Sequence, residues 1–268
     1  MTTMQRIIKY AAIALALTII AGIITGVAGL VTGITLLSNS TEINEELSAY
    51  DVNEKIDSLN IDVSGADLYI KEGEEFGIQA NYDLRVKEKN GTLKISEKSI
   101  NILGFRNEAV LLITIPKNAH YDKVKINAGA VSVDIDSLVC NKLELEVGAG
   151  ATDIGYLEVD EEAEFECGVG DLKIRSGKIN DVSFELGLGK VEINASVMGK
   201  SKVEAGMGQL NLTIPEKRSL YTVEAETGLG ELRIDGERIN GNTKIGDGEN
   251  RLSIEGGIGS VSLEFDGE

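Results

Sequence analysis

Few residues in this chain are able to do chemistry, and their spacing argues against most reactions. His120 is the one histidine, in a loop segment after Pro116 with no Ser or Cys nucleophile motif beside it. It therefore reads as a solvated side chain rather than a general base. No G-x-S-x-G, P-loop or zinc-ligand spacing occurs. The repeated G-x-G pairs invite a dinucleotide fingerprint, but they sit inside strand-like runs and open no helix, so no cofactor is expected. Gly256-Gly257-Ile258-Gly259-Ser260-Val261 approaches the nonapeptide calcium signature, yet Val261 stands where Asp is required, and no metal site is expected. Cys167 falls in an inward row with Val147, Leu186 and Ala205, as a buried free thiol. Cys140 lies seven residues before that row, near a turn, where it would not stack on Cys167, though spacing alone leaves a disulfide open. The pairs Glu144/Glu146 and Glu164/Glu166 alternate along strand-like segments and read as a solvated face. The alternative is a carbohydrate-active β-helix enzyme, which needs such carboxylates clustered on one groove. No catalytic residue is assigned, and the chain is not expected to be an enzyme.

The elements that carry these residues repeat. The unit apolar-x-apolar-Gly-x-Gly-x-apolar-x-apolar reads LEVGAGATDI from Leu145, FECGVGDLKI from Phe165, FELGLGKVEI from Phe184 and VEAGMGQLNL from Val203. It returns as AETGLGELRI from Ala225 and IEGGIGSVSL from Ile254, with looser copies at Ile126 and Ile61. A period near 20 residues marks a stacked repeat, and the alternation within each unit is that of a strand. The alternation slips by one at the second glycine. That glycine is expected to form the corner of a coil, at Gly150, Gly170, Gly189, Gly208, Gly230 and Gly259. The expected fold is all-β, a parallel β-helix or β-solenoid with coils of roughly 20 residues. An antiparallel sandwich is the competitor, but sandwiches do not repeat one motif at one period. Stacking in chain order would make one apolar row of Ile154, Ile174, Ile193, Leu212, Ile234 and Leu263. A second would hold Ala149, Val169, Leu188, Met207, Leu229 and Ile258, each coil burying the apolar edge of the next. Ile-Thr-Ile-Pro at Pro116 and Leu-Thr-Ile-Pro at Pro215 are both followed by a turn with a tyrosine, and are expected to mark detours of the coil path into longer loops. Asn90-Gly91 signals a tight hairpin turn.

Residues 1–10 form a polar head with Arg6 and Lys9, and residues 11–37 carry no charge. That run is long enough for a transmembrane helix, expected uncleaved, with the N-terminus cytoplasmic and the C-terminal domain extracytoplasmic at the cell membrane. A signal peptide is the rival, with small residues before a possible cut after Ser40. Gly22, Gly26, Gly29 and Gly33 share one face of this helix, which suits close packing against a partner helix or a homodimer. Residues 38–55 read as an acidic stalk with Ile43, Leu47 and Tyr50 at helical spacing, and residues 56–268 as the repeat domain. The net charge is −18, or −20 beyond residue 37. Such a surface disfavours nucleic acid and anionic lipid and suits solubility.

Glycine-punctuated strand repeats, Ile-Pro strand ends and one N-terminal membrane helix together resemble the bacterial "putative adhesin" family with β-strand repeats. This domain of unknown function includes LiaG-like envelope proteins. The resemblance covers roughly Ile56 to Glu268. It implies a β-helix-like domain on the outer face of a bacterial membrane, often linked with envelope stress, and transfers no catalytic residue. The expected role is binding or scaffolding in the cell envelope, with a wall polymer, a cationic peptide or a membrane protein as partner.

Overall fold

The computed structural model describes residues 46–52, 55–98, 109–239 and 241–267. The expected anchor, with Gly22, Gly26, Gly29 and Gly33, lies outside them. The described residues fall within one compact unit, Ile43–Glu268. They are strand throughout apart from turns and a short 3-10 turn at Arg218–Leu220.

The strands stack in parallel and in register, which excludes the antiparallel sandwich. On the first wall Ile95, Ile61, Ile126 and Leu145 line up, and further along Phe165, Phe184, Val203, Ile254 and Ala225 do the same. All nine are buried, and the rings of Phe165 and Phe184 lie 5.6 Å apart. Like on like is the natural outcome when each coil offers the same pattern at the same step, since neighbouring strands sit only about 4.8 Å apart. A second wall carries Ile174, Ile193 and Leu212, and a third carries Val159, Ile179 and Val197. With side chains from three walls meeting inside, Ile, Leu and Val fill the interior with few aromatics.

Coil order in space departs from chain order at both ends. Ser58–Val63 pairs with Thr92–Glu97 on one side and Tyr121–Ala130 on the other, so the first coil lies between the second and third. Asn250–Phe265 likewise lies between Lys200–Ile214 and the coil formed by Tyr221–Thr227 and Glu231–Ile234. The row expected to run Leu212, Ile234, Leu263 therefore runs Leu212, Leu263, Ile234. Each exchange requires the chain to step past one coil position, a rise of about 9.6 Å instead of 4.8 Å. Both steps follow the prolines: Pro116 leads through a turn to the buried Tyr121, and Pro215 to the buried Tyr221.

The outermost parallel strands are covered by antiparallel ones. At one end Leu84–Lys89 folds onto Thr92–Glu97 through Asn90 and Gly91, both at positive φ, and Gly77–Ala80 covers Val110–Pro116. At the other, Glu237–Ile239 covers Glu231–Ile234 and Thr243–Ile245 covers Tyr221–Thr227. These antiparallel strands, two of them in hairpins, satisfy edges that would otherwise template association. The stalk expectation needs correction here. Ser48–Tyr50 is a strand on Gly77–Ala80, held by Tyr50 Oη donating to the Tyr82 carbonyl and accepting from Leu84 N.

Candidate functional site

Two glycine columns shape the surface where the first and second walls meet. At Gly150, Gly170, Gly189, Gly208 and Gly259 φ lies between +140° and +147°, and an added Cβ would fall 1.7–1.9 Å from a carbonyl oxygen of the adjacent coil. Gly230 shares the column, 2.2 Å from the Gly259 oxygen by the same measure, but not the positive φ. The preceding column, Gly148, Gly168, Gly187, Gly206, Gly257 and Gly228, is held to glycine by close approach alone. A Cβ on Gly168, Gly187 or Gly206 would come within 2.4–2.5 Å of the carbonyl oxygen beneath it. A column without side chains leaves a trough.

That trough is bounded on one side by carboxylates. The residue two positions before the first glycine is Glu in all six full repeats: Glu146, Glu166, Glu185, Glu204, Glu226 and Glu255. Register pairing puts Glu166 beside Glu185, Glu185 beside Glu204, Glu204 beside Glu255 and Glu255 beside Glu226. Five of them line an open groove of about 600 Å³ whose floor is the glycine column with Cys167, Ala205 and Gly256. Lys202 bridges Glu204 and Glu255, the latter at 3.3 Å, while Glu146, Glu166, Glu185 and Glu226 form no salt bridge among the described residues. Like charges directly opposite one another destabilise a sheet. Lys202 relieves Glu204 and Glu255, but the four members without a salt bridge still oppose the fold's own stability, and locally unfavourable choices of this kind gather at functional or strained sites.

Beyond the glycines runs the row Ala149, Val169, Leu188, Met207, Ile258 and Leu229. It was expected to be buried edge to edge and is not: Val169 is 53% exposed, Leu229 55% and Ile258 46%. Except at Leu229, the glycine that follows has a positive φ and turns the backbone, so these side chains cap a corner instead of entering the core; Leu229 lies in a bend at the same place. Together they form an apolar ridge parallel to the acidic column.

The remaining sequence candidates do not converge on this site. His120 Nε2 lies 3.0 Å from an Asp160 carboxylate oxygen on an exposed surface. Both cysteines are free thiols. Cys140 is in mid-strand and fully buried, not at a turn, and burial pushes its thiol up to about 12. Cys167 stacks beside Leu186, and burial raises it to about 11. Glu144 is held below the usual carboxylate range by hydrogen bonds from Lys123 and Lys125, so it is already paired. Among the described residues no three His, Cys, Asp or Glu side chains gather to hold a metal ion. Sequence reading noticed acidic pairs but not the six-membered column. The signal was present: aligning the six repeats on their first glycine puts Glu at the same position every time.

These observations define a parallel stack of β-coils with a shallow acidic trough and an apolar rim. The chain belongs to the Toastrack DUF4097 family, whose profile matches residues 56–257. Solved structures similar to it include a "putative adhesin" from Bacteroides fragilis, at 16% identity and TM-score 0.52, covering 84% of this chain and 100% of that one. A "putative cell adhesion protein" from Clostridium sporogenes matches at 18% identity and TM-score 0.40, over 82% and 98% of the two chains. A "putative lipid binding protein" from Parabacteroides distasonis matches at 15% identity and TM-score 0.42, over 82% and 96%. No curated protein matches the chain.

Proposed function

We propose that this protein is a non-enzymatic binding module, anchored by residues 11–37 at the outer face of a bacterial membrane, that takes cationic amphipathic peptide segments along the glutamate column. The observation that carries the reading is the in-register column of glutamates beside an exposed apolar ridge, with a side-chain-free trough between them. Six coils at about 4.8 Å give a track of about 24 Å. That matches about seven residues of extended peptide or about sixteen of helix. Basic side chains of the ligand would meet the carboxylates and its apolar face the ridge, a pairing with both electrostatic and hydrophobic terms. The anchor rests on the uncharged run of residues 11–37.

The test is titration of the full chain, in zwitterionic nanodiscs, with a synthetic Lys/Leu amphipathic peptide at two salt concentrations, with empty nanodiscs as blank. Saturable binding that weakens at least tenfold from low to high salt is expected, with a similar loss for the E166Q/E185Q double variant. Absent binding, or binding indifferent to both salt and the double variant, rejects the peptide assignment. Cleavage of a wall glycan supplied in parallel rejects the non-enzymatic reading.

A further inference from the structure

The opposite end of the same sheet face carries the reverse charge. On the hairpin of Leu84–Lys89 and Thr92–Glu97, Arg85, Lys87 and Lys94 project from one side, and Lys87 is the direct cross-strand partner of Lys94. Like charges in that position destabilise a hairpin. Further along this face the lysines are matched with acids: Lys123 and Lys125 with Glu144, Lys202 with Glu204 and Glu255, Lys244 with Glu224. Arg85, Lys87 and Lys94 form no salt bridge among the described residues. Their neighbours in register are Ser96 opposite Arg85, and Asn60 beside Lys94. These are neutral hydrogen-bonding groups where a carboxylate would relieve the repulsion.

The three cations, with Lys98, line an open groove of about 570 Å³. Asp62 and Glu97 line it too, so two positive charges remain in excess, within a chain of net charge −18. Neither acid forms a salt bridge with Lys87 or Lys94 among the described residues, and Asp62 stands in register with Ser96. Glu97 is buried, and its Oε1 accepts from the backbone N–H groups of Ser64 and Gly65 at 3.2 and 3.3 Å. Lys98 is partly engaged by Asp83 at 3.4 Å.

We infer that this hairpin groove is a second binding site, for the phosphodiester groups of a soluble polyanionic polymer. A guanidinium fork suits phosphate oxygens, and two lysines on adjacent strands supply point charges to the same or the next phosphate. The hydroxyls of Ser64 and Ser96, also in the groove, can donate to the remaining oxygens. The concavity of the groove favours a polymer segment over a flat bilayer surface. The site is independent of the glutamate column.

The experiment titrates the full chain in zwitterionic nanodiscs with poly(glycerol phosphate) at low and moderate salt. Polygalacturonate serves as a carboxylate control, and nanodiscs containing phosphatidylglycerol as a lipid control. Saturable, salt-sensitive binding of the phosphate polymer is expected. K94E places a carboxylate opposite Lys87. It is expected to weaken binding roughly tenfold while raising the urea midpoint, a combination that damage to the fold would not produce. K178E, at an exposed lysine on another wall, makes the same charge change and is expected to leave affinity within about twofold. The inference is overturned by silence toward the polymer, by equal effects of K94E and K178E, by equal affinity for polygalacturonate, or by binding confined to phosphatidylglycerol.

Discussion

Replacing Gly189 by alanine tests whether the corner glycines are demanded by the stack itself. At this position φ is +142°, and the new Cβ would lie 1.7 Å from the Gly170 carbonyl oxygen and 2.7 Å from its carbon. An ordinary carbon–oxygen contact needs about 3.3 Å, so the two coils must part locally by about 1.5 Å. That opening takes the flanking ladder hydrogen bonds past the range in which they count, and two or three lost bonds cost about 0.5–1.5 kcal/mol each. Holding a non-glycine residue at such a φ costs a further 1–3 kcal/mol, roughly. The expected loss is about 3–6 kcal/mol, comparable with the whole stability of many domains. Gly236 supplies the control. Its φ is +76°, but an added Cβ meets nothing within 4 Å, so G236A should cost about 1 kcal/mol. Urea unfolding of the full chain in neutral detergent, followed by far-UV circular dichroism, measures both variants. If G189A and G236A agree within about 1 kcal/mol, the close approach of coils is not what requires glycine, and the argument fails.

Two further outcomes follow from the titrating groups. Near pH 8 the thiols of Cys140 and Cys167, raised by burial to about 12 and about 11 from an ordinary 9.0, should alkylate far more slowly than in urea, Cys140 slowest. Native-state labelling of Cys140 ahead of Cys167, read by peptide mass spectrometry, would contradict this. Glu144 has its folded-state pKa lowered from 4.5, so the unfolded chain binds its proton first as pH falls. Its stabilising contribution is complete above the unfolded value and is lost as pH drops through the folded one. E144Q should therefore lower the unfolding free energy slightly at pH 7, by well under about 1 kcal/mol per pair, and flatten the acid limb between pH 5 and 3. An unchanged acid limb would dispose of that assignment.

Much of the architecture was readable because a stacked fold writes its geometry into each repeat. Phe165, Phe184 and Val203 occupy one position of the unit, so their stacking follows from register once the unit is recognised. The same holds for the glycines, whose spacing marks where the backbone turns. The acidic column was also legible, but only after alignment by repeat; along the chain Glu166 and Glu185 are merely two acids 19 residues apart. The stalk misled because Leu47 and Tyr50 fit helical spacing over so short a stretch, whereas the free edge of Gly77–Ala80 recruits Ser48–Tyr50 as a strand. The apolar ridge misled for another reason: Val169 and Ile258 have the parity of core residues, and only the turn at the next glycine carries them outward.

From its sequence alone, this protein is determined as a parallel stack of coils with glycine corners and a single chemistry-poor surface. Alternation, period and backbone permissiveness are properties each repeat carries by itself. The order of the coils is not such a property. Every coil presents nearly the same edge to its neighbours, so Lys200–Ile214 accepts Asn250–Phe265 as readily as the coil that follows it in the chain. What selects among these equivalent stackings is the need to cover both ends with antiparallel strands, a condition that exists only once the whole stack has formed. The same tertiary choice sets Glu255 between Glu204 and Glu226, and puts the local hairpin that pairs Lys87 with Lys94 at the end of the stack.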